Sequence, residues 1–197
     1  MSNEMSLSEG GSVFRLELSG GFLLLLSLTG FFCGGEALAA AMIAAAVHEL
    51  GHLALILAQG SLPRRLILDI SGACLYCAGM EPGPRQELAR AAAGPAAGFL
   101  LWLCFRAGGS GFLRSVAAMS LMLSLINLLP AYGLDGDRIL GCLLPRFLTP
   151  DRRELLSCLL GLFSALASLA LGILFSPQLF LYGIWLLLRQ LRIRLRD

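Results

Sequence analysis

The stretch Ala44-Ala45-Ala46-Val47-His48-Glu49-Leu50-Gly51-His52-Leu53-Ala54-Leu55-Ile56-Leu57 carries both histidines of the chain. They stand four residues apart with Glu49 between them, in surroundings otherwise made of Ala, Leu, Ile, Val and Gly. Titratable groups are costly in apolar surroundings and are kept there mainly when they do something. On a helix, positions i and i+4 fall on one face, so both imidazoles can reach one ion. From His52 to Gln59 is seven residues, which sets the pair about 10 Å inside the end of such a helix.

The 197 residues are 57% hydrophobic and 14% charged, with a mean hydropathy of +0.78. A soluble domain of this size carries roughly 25% charged residues, so the deficit and the long apolar runs point to a lipid bilayer as solvent. Net charge is +2, and all fifteen basic residues are Arg. They form no stripe interleaved with aromatics, so nucleic acid is not expected as a partner. Of the six cysteines, Cys33, Cys104 and Cys158 lie in or beside apolar runs and read as small hydrophobes. Cys74-Leu75-Tyr76-Cys77 has C-x-x-C spacing but lacks a second pair of ligands nearby, and reads as ordinary reduced thiols.

Apolar segments fall near 20–35, 37–59, 88–105, 112–130, 155–175 and 177–189. Several are shorter than the roughly 20 residues of an ideal span, which local bilayer thinning and snorkelling arginines can accommodate. With six crossings, one side carries thirteen arginines and the other carries two, Arg106 and Arg114. By the positive-inside rule both termini are then cytoplasmic in a bacterial-type cell membrane. Residues 1–19 are polar and net acidic, without the positive start of a secretory signal, and read as a cytoplasmic segment. Between the second and third segments, Leu66-Ile67-Leu68-Asp69-Ile70 and Ala73-Cys74-Leu75-Tyr76-Cys77 flank Ser71-Gly72 and predict a hairpin. The expected fold is therefore an all-α polytopic membrane protein of about six transmembrane helices, with a short membrane-associated β-hairpin. Residues 20–197 form one integral-membrane domain, its core at 37–145.

H-E-x-x-H on a helix is the pattern of zinc proteases, two ligands plus a glutamate that handles a water. Zinc with an open position needs a third protein ligand, and with no further His it must be Asp, Glu or Cys. The best source is Asn127-Leu128-Leu129-Pro130-Ala131-Tyr132-Gly133-Leu134-Asp135-Gly136. Pro130 ends or kinks the preceding helix, and beyond it the backbone can turn back where it lines a cavity. Asp135 follows that break, with Asp137 the runner-up. The expected ligands are His48, His52 and Asp135 for one Zn²⁺ per chain.

The two motifs together, His48-Glu49-Leu50-Gly51-His52 and Asn127-x-x-Pro130-x-x-x-x-Asp135-Gly136, resemble the site-2 protease family of intramembrane zinc metalloproteases. The resemblance covers roughly residues 20–145. Ala93-Gly94-Pro95-Ala96-Ala97-Gly98 is similar to that family's Gly-Pro motif, although many relatives have Asn where this chain has Gly98. The short layout, without room for a PDZ domain, is most similar to the sporulation branch typified by stage IV sporulation protein FB. That branch processes a sigma-factor precursor and often ends in a CBS domain, which does not follow here. The resemblance implies hydrolysis of peptide bonds in or near the transmembrane segments of membrane-associated proteins. It gives Glu49 the role of general base and sets Asn127 near the cleft, holding substrate backbone. A regulatory membrane protein is a further expected partner. The competing readings are a zinc-binding membrane protein without proteolysis, a pseudoprotease, or a transporter. The hairpin could also offer an edge strand to an unwound substrate.

Overall fold

The computed structural model describes residues 14–69, 72–78, 81–131, 133–144, 149–175, 183–184 and 186–187. Its elements in chain order are β1 (Arg15–Leu18), α1 (Gly20–Cys33), α2 (Gly35–Ala58), β2 (Leu62–Asp69), β3 (Gly72–Ala78), α3 (Pro84–Phe105), α4 (Gly111–Asn127), α5 (Asp135–Leu143) and α6 (Pro150–Phe175).

The helix predicted around the histidines is α2, 24 residues long and so about 36 Å. Its buried positions are Ala40, Ala44, His48, His52 and Ile56. A strict spacing of four makes them one stripe, on which two imidazoles take the place of small apolar groups. α3 begins at Pro84, where a missing N–H costs nothing, and the Gly83 N–H is capped by Gln86 Oε1 at 3.0 Å. Its buried face is Arg90, Ala91, Gly94, Pro95 and Gly98. α4 buries Val116, Ala117, Ser120 and Ser124. α2, α3 and α4 pack on one another, and α5 packs on α3.

These contacts need small residues. A Cβ on Gly51 would stand 2.6 Å from the Ala93 carbonyl oxygen and 2.7 Å from Ala97 Cβ. A Cβ on Gly98 would run into Ser124 Oγ and come 3.1 Å from the Ser120 carbonyl oxygen. Large apolar side chains point the other way: Leu50, Leu57, Phe99, Leu100, Leu103, Met122, Leu125, Phe163 and Ile173 are all exposed. α2 and α3 are long and apolar enough to cross a membrane, while α4 and residues 154–170 of α6 are shorter apolar helices. α1 has 14 residues and reaches only about 21 Å. Of the segment expected at 177–189, only residues 183–184 and 186–187 are among the described residues, and the rest lies outside them.

Two expectations are corrected. The hairpin is present, but its strands belong to a three-stranded sheet in the order β1-β2-β3, with β1 parallel and β3 antiparallel to β2. Residues 15–18, read as part of a polar tail, supply the third strand because Arg15-Leu16-Glu17-Leu18 alternates with period 2. A parallel pair needs a crossover, and α1 with α2 provides it. Register places Leu16 beside Leu66 and Leu18 beside Leu68, so one face of the sheet is apolar. On the other, Arg65 grips Glu17 through two hydrogen bonds of 2.7 and 2.6 Å and lies over the Tyr76 ring. That grip holds the exposed Glu17 carboxyl below its ordinary pKa. Cys74 and Cys77, three apart on β3, point to opposite faces, which fits the reading of separate thiols.

The second correction concerns the stretch beyond Pro130, read from the sequence only as a break at which the chain turns back. Residues 135–143 form α5, so Asp135 opens a helix rather than sitting in a plain turn.

Replacing Gly98 by Leu should force α3 and α4 apart. We expect a loss of about 1–3 kcal/mol, measured by thermal unfolding of detergent-solubilised protein, with Gly108→Leu, which meets nothing within 4 Å, as the neutral control.

Candidate metal centre

Three side chains from two distant parts of the sequence converge at the middle of this bundle. His48 Nε2 and His52 Nε2 lie 3.2 Å apart, and each is 3.1 Å from Asp135 Oδ2. All three residues are buried, at 3%, 9% and 6% exposure. Helix α2 presents the two imidazoles one turn apart, while Asp135 is brought 83 residues along the chain from His52 to meet them.

The approach of Asp135 rests on the turn before it. α4 ends at Asn127, and the chain doubles back through Leu128–Ala131 with Ala131 N–H bonded to the Leu129 carbonyl at 2.8 Å. Gly133 adopts φ 79°, a left-handed conformation suited to glycine. Gly136 packs where any Cβ would collide with the carbonyl oxygens of Leu128 and Leu129. Ala131 and Leu134 are then buried against Ala165 of α6 and Leu186.

The histidine orientations have separate causes. His52 Nδ1 is 2.7 Å from the Arg90 carbonyl oxygen, which can only accept, so Nδ1 donates and Nε2 carries the lone pair. The Arg90 side chain is itself tied down, donating to Gln59 Oε1 and Ser61 Oγ at 2.6 Å each. The His52 ring lies flat against Gly94: a Cβ there would stand 2.6 Å from Cε1 and 2.7 Å from Cδ2. His48 Nδ1 is buried without a hydrogen-bond partner among the described residues.

The donor set fits a metal ion. Two imidazole nitrogens and one carboxylate oxygen are first-row metal ligands, and three protein ligands with one place open is the catalytic zinc arrangement. For zinc–ligand bonds of about 2.0–2.1 Å, tetrahedral geometry asks for ligand separations of about 3.3 Å, close to the 3.1–3.2 Å observed. An imidazole lone pair and a carboxylate facing each other at that distance, away from water, repel unless a cation or proton lies between them.

The remaining predicted residues fall as follows. Glu49 is half-buried next to His48 on α2, within electrostatic reach of both imidazoles and Asp135. Asn127 ends α4, and its Nδ2 donates to the Leu123 carbonyl at 3.0 Å. Asp137, the alternative ligand, instead accepts from Ser157 Oγ of α6 at 2.6 Å. Three residues escaped sequence reasoning: Arg90, Glu87 and Arg138. Arg138 Nε donates to Glu87 Oε1 at 2.9 Å, and its Nη1 reaches Asp135 Oδ1 at 3.4 Å. These three also line an open cavity of about 270 Å³ with Ile56, Ser61 and Cys77.

With the geometry in view, the chain can be compared with known proteins. It has the fold of the site-2 protease from Methanocaldococcus jannaschii, matched over 98% of this chain and 94% of that one with a TM-score of 0.68 and 21% identity. Over 148 residues, 69% of the chain, it is 30% identical to a Synechocystis sp. protein named "Putative zinc metalloprotease". That stretch amounts to 37% of the Synechocystis protein, so the chain spans little more than a third of this curated relative. No protein-family model matches the chain.

Substituting Gly94 by Ala adds one methyl where the His52 ring lies. Metal affinity should fall about tenfold to a hundredfold, the range for lost support of a ligand, as titrated with a competing chelator on the purified chain.

Proposed function

We propose that this protein is an intramembrane zinc metalloprotease of the site-2 type. It would hydrolyse peptide bonds in or near the transmembrane segments of membrane-associated proteins. The observation that carries the reading is the convergence of His48, His52 and Asp135 on one point, with a glutamate adjoining the first ligand. The fold shared with a site-2 protease and the similarity to a zinc metalloprotease homologue support it.

In this reading His48 Nε2, His52 Nε2 and Asp135 Oδ2 hold one Zn²⁺. When bound, zinc supplies a Lewis acid and brings the pKa of water to about 7. Glu49 takes the proton of the attacking water and returns it to the leaving amine. The Arg90 carbonyl keeps His52 in the tautomer that offers Nε2 inward. Asn127 Nδ2 spends one N–H on its own helix, so it offers a substrate its second N–H and an amide oxygen that accepts a backbone N–H. β2 is paired on both sides, leaving β1 and β3 as the edges, and the longer, β3, is the one at which an unwound substrate could add as a strand.

The exposed apolar exterior and helices α2 and α3 support a position in the bilayer. The arginine distribution favours both termini in the cytoplasm. Sigma-factor precursor processing is one form this proteolysis takes, and a membrane-bound regulator would fit it. A membrane protein that handles zinc without cleaving anything is the alternative class.

Glu49→Gln separates the two. Co-expressed with single-span membrane proteins and followed by mass spectrometry of the fragments, the variant should lose about 10²–10⁴-fold in cleavage rate while its zinc content stays that of the wild type. A non-proteolytic zinc protein would yield no wild-type fragments to lose.

A further inference from the structure

The two oxygens of Asp135 are used differently. Oδ2 faces both imidazoles, 3.1 Å from each. Oδ1 is turned towards Arg138, whose Nη1 lies 3.4 Å away, one helical turn along α5. Arg138 is in turn fixed from α3, where Glu87 Oε1 accepts from its Nε at 2.9 Å. The Arg138 side chain is 40% exposed and lines the cavity, whereas the Asp135 side chain is 8% exposed, so the arginine stands between the cavity and the buried carboxylate. Its position is defined twice, by the i,i+3 spacing on α5 and by a carboxylate on a separate helix.

A carboxylate can ligate a metal through one oxygen or through two. With two it would fill four positions together with the histidines, and an attacking water would be forced into a fifth instead of the open fourth place. We propose that Arg138, anchored by Glu87, is a positioning residue that engages Asp135 Oδ1 and thereby keeps this ligand monodentate, preserving the open coordination position. The inference rests on the metalloprotease reading above. A guanidinium suits the task because its planar fork can hold two carboxylates at once at fixed angles, which an ammonium cannot do. The role differs from that of Arg90, which acts on His52 through a backbone carbonyl and leaves its charge to Gln59 and Ser61.

The test uses the full chain in detergent, stripped of metal and reloaded with Co²⁺, whose visible absorption is intense when four-coordinate and weak when five-coordinate. Wild type should give the intense spectrum. Arg138→Gln should still take up one equivalent of metal but absorb more weakly, with kcat lower by about tenfold to a hundredfold and KM little changed. Glu87→Gln, on the far side of the guanidinium from the ligand, should move both readouts the same way by less, and Arg138→Lys should restore them in part. Unchanged spectrum and kcat in Arg138→Gln, against a normal wild type, would overturn this inference alone. Loss of metal from a folded Arg138→Gln would also overturn it, by showing that the arginine merely holds the site together. A wild-type chain that takes up no Co²⁺ would bring down the metalloprotease reading itself.

Discussion

Three lone-pair donors facing one another at 3.1–3.2 Å in a buried place are the constraint around which this molecule is arranged. With neither a cation nor a proton between them such a cluster is unfavourable, because imidazole lone pairs and a carboxylate oxygen repel. Each must therefore be held by something behind it. His52 is held by a main-chain carbonyl on α3, and Asp135 by an arginine on its own helix and by its place at the N-terminus of α5, where a negative charge meets the positive end of the helix dipole. His48 Nδ1 has no such support among the described residues, so its orientation depends on the packing of the α2 stripe and on the contacts of its Nε2.

Packing explains how supports on separate helices come close enough to act. The interior of the bundle is built from Ala, Gly and Ser, with His and Arg at the site, whereas Leu, Phe and Met dominate outside. In water that distribution would be unstable, since exposed patches of this extent associate. In lipid the outside needs no hiding, and helices associate through close backbone approach and interhelical hydrogen bonds instead. Gly51, Gly94 and Gly98 are where this matters most: each admits a neighbour that a methyl group would push away. Gly51 and Gly94 bring α2 and α3 together at the level of His52, so the same approach that packs the helices also delivers the Arg90 carbonyl to the ring.

Much of this was legible in the sequence, for identifiable reasons. The histidine pair could be read because spacing of four on a helix has only one geometric meaning, and because no other histidine competes for attention. Asp135 could be reached by deficit: a metal helix one ligand short, and one helix-breaking segment rich in Pro, Gly and Asp to supply it. The hairpin strands were visible by their β-type runs. β1 was not, because four residues of alternation lie below what periodicity can separate from a polar tail, and because its partner β2 is more than forty residues away. α5 was hidden by its composition. Asp135-Gly136-Asp137 at its start reads as a turn until the closeness of the Leu128 and Leu129 carbonyls, which leaves no room for a Cβ, shows why glycine is there. Without α5 as a helix, Arg138 has no reason to be related to Asp135, and with it the two sit one turn apart.

The placement of the third ligand on a separate helix has a mechanical consequence. α2 carries both histidines on one rigid cylinder, so their backbone positions stay one turn apart and only side-chain rotation can separate the rings. Asp135 instead rides on α5, a nine-residue helix, which is joined to α3 through Arg138 and Glu87 and to α6 through Asp137 and Ser157. α6 thus touches this region twice, through the 2.6 Å hydrogen bond to Asp137, two positions from Asp135, and through Ala165 against Ala131 and Leu134. The Glu87 link ties the same region to α3, the helix that also orients His52. The position of Asp135 is thus defined relative to α2 and α3, through the packing of α5 on α3 and through the arginine that joins them.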